Sequence, residues 1–249
     1  MHSSFVLRAS ERGYNHFLST GEASSYVGGQ PDATVTRHSS FNFGPYQAGR
    51  AGFGRLRVFG DEVFSGSGCG YNIHRHHNFI ICAFVLEGQL THVNTVGNID
   101  QLTRGDFYAF SAGSGGKHCE LNLPGDDANI LYLWILPNQL LLPPTYERGH
   151  YDAIASRNRI TPLVGTADGA LRVSQEAKVS RLTTDAAGIF EYIPHSAANG
   201  VYVFVIDGAI ACNDTPLARR DSCGLWGQER VVLAAGEEPV DVLIFESAP

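Results

Sequence analysis

The chain has 249 residues, 43% of them apolar and 17% charged, which is the make-up of a folded protein with room for two modest domains. Its formal net charge of −7, with no basic stripe, argues against direct nucleic-acid binding. No apolar run approaches the ~18 to 20 residues of a helical membrane span, so no membrane partner is expected.

The amino terminus, MHSSFVLRAS, lacks the basic segment and apolar core of a secretory signal. Cys69, Cys82, Cys119, Cys212 and Cys223 are odd in number without CxxC spacing, and a chain of this size needs no disulfide staples. Both features lead us to expect reduced thiols and a cytoplasmic location.

In chain order, residues 18–38 are rich in Ser, Gly and Thr and are expected to form an exposed insertion. Phe53-Gly-Arg-Leu-Arg-Val-Phe59 then alternates apolar and polar residues, and the turn-rich Ser65-Gly-Ser-Gly-Cys-Gly70 follows. Strand-like runs over 79–86, 89–95, 106–110, 117–123 and 129–136 are separated by short breaks carrying Gly, Asn or Pro, the pattern of an antiparallel barrel or jelly roll. Pro137, Pro143 and Pro144 precede a polar stretch, TYERGHYDAIASR, read as a connection with room for a short helix. Alternation resumes at Ile160. These breaks predict an N-terminal domain over 1–140, a linker over 141–160 and a C-terminal domain over 161–249.

The second half repeats the first. Phe84-Val-Leu-Glu-Gly-Gln-Leu90 is similar to Phe204-Val-Ile-Asp-Gly-Ala-Ile210, and Leu102-Thr-Arg-Gly-Asp-Phe107 to Leu217-Ala-Arg-Arg-Asp-Ser222. Self-similarity of this kind is the mark of a duplicated domain, and the fold expected is all-β with two stacked barrels.

Five of the ten histidines fall between positions 74 and 118. On a strand, residues i and i+2 share a face, so His74 and His76 project together while Arg75 and His77 point the other way. His118 and Glu120 repeat this spacing on a later strand. Converging inside a barrel, three imidazoles and one carboxylate make a ligand set for one divalent metal, with positions left for water, dioxygen or substrate. Cys119, between two of them, should face outward. His92 is either a hydrogen-bond partner behind a ligand or a plain barrel histidine. His2, His16, His38, His150 and His195 have no spacing partners. In the second half the matching positions are Pro194, Ser196, Leu233 and Ala235, so one site per chain is expected.

These residues carry a family resemblance. Gly68-x5-His74-x-His76 closed by Gly88, and Gly105-x5-Ser111-x-Gly113 followed by His118-x3-Asn122, resemble the two cupin motifs. Ala112-Gly-Ser-Gly-Gly-Lys-His-Cys-Glu120, Phe84-Val-Leu-Glu-Gly-Gln89 with His92, and Leu133-Trp-Ile-Leu-Pro137 resemble segments of the pirin family. So do Ser10-Glu-Arg-Gly13, Ser40-Phe-Asn-Phe43 and Gly52-Phe-Gly-Arg-Leu-Arg-Val58. The sequence departs from that family at Arg75, where Pro is usual, and at Ile80, where an acid is usual.

The resemblance implies a bicupin with one metal in the N-terminal barrel, usually Fe(II), held by His74, His76, His118 and Glu120. The ligand set also suits Mn, Co, Ni, Cu and Zn. Two roles are implied. One is a quercetinase-like dioxygenase, whose partners are dioxygen and a small enolisable aromatic such as a flavonol. In that role Glu120 would both ligate the metal and accept the substrate's hydroxyl proton. The other is an iron- or redox-sensing regulator acting through a protein partner such as a transcription factor. For the first, Phe43, Phe53, Tyr71, Phe110 and Trp134 are the aromatic residues available to line a pocket.

Overall fold

The computed structural model describes residues 4–19, 32–41 and 50–249. Among these, strands dominate, a single 3-10 turn at Ala9–Glu11 is the one helical element, and no helix is long and apolar enough to cross a membrane. All five cysteines are free. The strands fall into two compact units, one formed by the described residues of 13–51 and 56–150, the other by those of 1–12, 52–55 and 151–249. This division differs from the expected one at both ends of the N-terminal domain. The leading strand β1 (Phe5–Leu7) belongs to the C-terminal unit, and residues 141–150 belong to the N-terminal one.

In the N-terminal unit, β2 (Gly13–Leu18), β3 (Thr34–Ser39), β4 (Leu56–Ser65) and β5 (Cys69–His76) are followed by β6 (Ile80–Glu87), β7 (Gln89–Asn94) and β8 (Ile99–Thr103). Then come β9 (Asp106–Ser111), β10 (Gly116–Asn122), β11 (Ala128–Ile135) and β12 (Thr145–His150). A seven-stranded sheet ordered β12-β9-β6-β11-β4-β3-β2 and a four-stranded sheet ordered β5-β10-β7-β8 enclose one core. Alternate residues of β6 (Ile81, Ala83, Val85) meet Phe64, Tyr108, Phe110, Ile130 and Tyr132 of the large sheet and Cys69, Leu90 and Leu102 of the small one. Their burial is the main force holding the two sheets together.

Two expectations are corrected here. Of residues 18–38, positions 20–31 lie outside the described residues, but Thr34–Ser39 is no exposed insertion: it pairs with both β2 and β4, and Val35 is fully buried. The first six residues of the polar stretch after Pro144, Thr145–His150, form β12, an edge strand paired with β9 (Thr145↔Ser111 to His150↔Asp106), while 151–157 is loop and turn and contains no helix.

The C-terminal unit contains β1 with β13 (Arg159–Val164), β14 (Ala177–Thr184), β15 (Gly188–Tyr192) and β16 (Gly200–Asp207). β17 (Ile210–Cys212), β18 (Thr215–Leu217), β19 (Ser222–Trp226), β20 (Val231–Ala235) and β21 (Val240–Ser247) complete it. Its sheets run β1-β19-β16-β21-β14-β13 and β15-β20-β17-β18. β1 is fastened by side chains as well as by its pairing with β19: Asp221 accepts from Arg8 Nη1 and from the Ala9 N–H, both at 2.8 Å. Leu233, counted as the counterpart of His118, is fully buried in this unit's apolar core.

The duplicated sequence builds the same turns twice. Gly88 and Gly208 close the β6–β7 and β16–β17 turns with φ of +72° and +77°. A side chain at either would run into a backbone carbonyl, of Asp127 or Pro239. At the second matched turn the Gly105 N–H donates to Val85 O at 3.0 Å, and the Arg220 N–H to Val205 O at 2.7 Å.

Candidate metal centre and the cavity beside it

β5 and β10 run antiparallel with His118 directly opposite His74 and Gly116 opposite His76. Alternation along β5 turns Arg75 out to solvent while His76 is buried. Between Glu120 and His118 the register slips: two residues of β5, Asn72 and Ile73, stand opposite the single Cys119. This is a β-bulge, and it sets Tyr71 opposite Glu120.

The three imidazoles converge. Their ligand atoms lie within 4.8 Å of one another, and ring centroids are separated by 4.5 Å for His74–His118, 4.8 Å for His74–His76 and 4.9 Å for His76–His118. The Glu120 carboxylate is adjacent, with Oε2 at 3.6 Å from His118 Nε2. Cys119 is outside the group. His77 is exposed.

A hydrogen-bonded shell orients these side chains. His74 Nδ1 is 2.7 Å from the Asn72 carbonyl oxygen, and His118 Nδ1 is 3.1 Å from His92 Nε2. Tyr108 Oη donates to Glu120 Oε1. His92, fully buried, is stacked between Tyr108 (4.2 Å) and Tyr146 (5.0 Å). Of the two sequence readings of His92, the structure therefore supports the hydrogen-bond partner behind a ligand.

The electrostatics suit a cation. Burial pushes the His76 imidazole down to about 4 and His92 to about 3, and it lowers His74 and His118 as well, so these rings are neutral near pH 7 and keep a lone pair to donate. Burial raises Glu120 to about 8 despite the hydrogen bond from Tyr108. Nε2 of His76 and of His118 are buried with no hydrogen-bond partner. Unpaired buried nitrogens are costly in a folded protein, and a metal ion would satisfy both.

A cavity of about 330 Å³ opens beside the centre. His74 and Glu120 border it on the metal side, and Val58, Ile73, Tyr132 and Trp134 line its body. The Trp134 indole also meets the His76 ring edge to face at 4.8 Å. The remaining lining is Asn72 and a polar triad that composition and spacing did not reveal. Arg37 Nε donates to Glu62 Oε1 at 2.7 Å, Arg37 Nη2 to Tyr71 Oη at 2.5 Å, and Tyr71 Oη to Glu62 Oε2 at 2.5 Å. Arg37 and Glu62 are direct cross-strand partners on β3 and β4.

Of the aromatic residues named from sequence, Tyr71 and Trp134 line the cavity. Phe110 packs behind it, with its ring 5.1 Å from that of His118. Phe53 is corrected: it lies in the C-terminal unit, against Trp226 (4.6 Å) and Tyr202 (5.8 Å). Phe43 and His2 lie outside the described residues.

Comparison with known proteins gives the same answer for both halves. Residues 24–135 match the family described as Pirin, and 164–247 match the quercetinase C-terminal cupin domain. Quercetin 2,3-dioxygenase of Escherichia coli is 29% identical over 207 residues, covering 82% of this chain and 87% of that protein. A pirin-like protein of Caulobacter vibrioides is 27% identical over 222 residues, covering 88% and 95%. Among solved structures, YhhW of Escherichia coli superposes with a TM-score of 0.85 at 25% identity, over 99% of this chain and 98% of that one. A structure of the bacterial pirin YhhW in complex with nickel(II) gives a TM-score of 0.85 at 24% identity, over 99% and 100%.

Proposed function

We propose that this chain, which belongs to the pirin family of bicupin proteins, is a metal-dependent dioxygenase acting on a flavonol or a similar enolisable aromatic. The observation that carries the reading is the trio of neutral imidazoles, two buried and one half-buried, whose ligand atoms lie within 4.8 Å of one another, with His74 bordering a cavity. His74, His76 and His118 would hold one divalent ion, with Glu120 as the fourth ligand. The quercetin 2,3-dioxygenase name of the relatives supports the reaction class, and the nickel(II) complex of YhhW supports a divalent ion. Iron(II) is the ion we favour.

Such an ion supplies Lewis acidity and a place where dioxygen and the substrate's oxygen meet. The chain's own residues supply the rest. With Oε1 engaged by Tyr108, Glu120 Oε2 would be both the ligating oxygen and the base, and it would have to loosen from the ion to take the substrate hydroxyl proton. His92 holds the His118 ring from behind, fixing which nitrogen faces the site. Trp134 and Tyr132 give the planar body of an aromatic an apolar surface and reduce the water beside the reacting carbons.

The test is to purify the protein without added metal, measure its metal content, load it anaerobically with iron(II), and follow oxygen uptake with flavonols and smaller enolisable aromatics. Substrate-dependent uptake that disappears in His118→Ala is expected. Its absence with every metal tried would sink the reading.

A further inference from the structure

The residues around the cavity differ sharply in their exposure. Val58 and Tyr132, its most buried apolar walls, are 5% and 4% exposed. Asn72, His74 and Trp134 are half-buried. Among the described lining residues Ile73 alone is exposed, at 59%, so it reaches from the cavity wall out to solvent and marks the mouth. It owes that place to the β-bulge, where Asn72 and Ile73 together stand opposite the single Cys119. A single exposed isoleucine is ordinary on a protein surface. This one shares a cavity with His74, the next residue along the strand, and with Glu120.

We propose that Ile73 is a specificity-determining residue at the cavity mouth, and that it selects substrates whose metal-binding ring carries a second apolar ring reaching out of the cavity. A planar ligand with its oxygens beside His74 and Glu120 lays its inner ring against Val58, Tyr132 and Trp134. A molecule that ends there leaves the outer surface of Ile73 in water. One that continues through the mouth covers that surface, and its removal from water favours the longer ligand. Covering the part of an isoleucine side chain that is now exposed corresponds to about fivefold or more in affinity. At about 330 Å³ the cavity lies at the small end of the ~300–1,000 Å³ typical of ligand pockets, which leaves a pendant ring little room inside and directs it to the mouth.

This inference rests on the cavity being the substrate site of the proposed dioxygenase, but its test reads binding rather than turnover. The protein is loaded with zinc, which has no redox chemistry. It is titrated with 3-hydroxyflavone and with 3-hydroxychromone, the same molecule without its pendant phenyl ring, and binding is followed by the shift of each ligand's own absorption band. Both ligands present the same pair of oxygens, so the charge of the ion and of every side chain around it acts on the two alike. The wild-type protein is expected to prefer the hydroxyflavone by at least fivefold. Ile73→Thr, which keeps a branched β-carbon on the bulge but loses apolar surface, is expected to lower that ratio at least threefold. Ile73→Val, with the shape of threonine and no hydroxyl, is expected to lower it less. Zinc affinity, measured in each variant by chelator competition, is expected to stay at the wild-type value.

Equal binding of the two ligands by wild type, no binding of either, or an unchanged ratio in Ile73→Thr overturns the inference. An equal fall in the threonine and valine variants overturns it too, since shape rather than apolar contact would then decide. A fall in ratio that comes with lost zinc affinity assigns the effect to a disturbed His74 and has the same result. An Ile73-dependent preference without oxygen uptake in the iron-loaded protein removes the dioxygenase reading and leaves this one standing. Uptake with an unchanged ratio in Ile73→Thr does the reverse.

Discussion

His92 Nε2 lies 3.1 Å from His118 Nδ1, so one of the three converging imidazoles is backed by a second imidazole rather than by the carboxylate or carbonyl more usual behind a metal-binding histidine. A neutral imidazole can accept here only if its proton is on Nδ1, and that nitrogen of His92 is buried without a partner. Replacing His92 by Phe keeps the stack with Tyr108 and Tyr146 but removes the acceptor. We expect metal affinity to fall about 10- to 100-fold, measured by competition with a chromophoric chelator, with the far-ultraviolet circular dichroism unchanged. Wild-type affinity in this variant would show that the contact orients nothing.

Metal removal should lower the melting temperature, because an ion that binds only the folded chain stabilises it by mass action. The shift is expected in the wild-type protein and should vanish in His76→Ala, when the two are compared by calorimetry with and without a chelator. Glu120→Gln should keep three ligands and most of the bound metal, yet lose most oxygen uptake, since an amide cannot take the hydroxyl proton. Equal activity in that variant would move the base elsewhere.

Gly70 sits with φ of +139°, and a side chain there would be driven onto the Glu120 carbonyl oxygen. Gly70→Ala should therefore cost about 1–3 kcal/mol of stability, as overpacking does, and part β5 from β10 beside the metal ligands. Denaturant unfolding gives the first effect and chelator competition the second. A stable variant with unchanged metal affinity would contradict the close approach.

Asp221 carries the pH dependence of the fastening of β1. Burial alone would raise this carboxyl, but the hydrogen bonds from Arg8 and from the N–H groups of Ala218 and Ala9 outweigh it and hold the pKa below the usual carboxylate value. A carboxyl depressed in the folded state adds stability above its unfolded pKa of about 3.9 and loses that stability as pH falls through its folded value. We expect the amides of residues 5–7 to be protected from hydrogen exchange at neutral pH and to lose protection below about pH 4. Asp221→Asn should abolish that protection at neutral pH too, at a cost of about 1.5–3 kcal/mol to the unit.

Legibility in the sequence followed the range of the pattern. His74, His76, His118 and Glu120 were readable as a group because period-two alternation is local, and each pair sits on one strand. The duplicated turns at Gly88 and Gly208 were readable because backbone of positive φ narrows the choice of residue. β12 escaped because an edge strand with mostly exposed side chains has no apolar alternation to show. Arg37 escaped because its partners Glu62 and Tyr71 sit on other strands, and no spacing connects the three. Phe53 was misassigned because it opens the alternating run Phe53–Phe59, and nothing in that pattern marks that residues 52–55 join one unit while Leu56 onward joins the other.

The bulge at Asn72 and Ile73 has a consequence for how this protein can change. Tyr71 and His74 are an odd number of residues apart, and plain alternation would send them to opposite faces, yet both border the cavity. One short segment thus carries two candidate metal-binding histidines and part of the cavity wall as a single mechanical piece. Deleting one bulge residue would leave Tyr71 and His74 two apart and still on one face, whereas deleting both would make them neighbours and turn one away, so a change of two residues here alters both together.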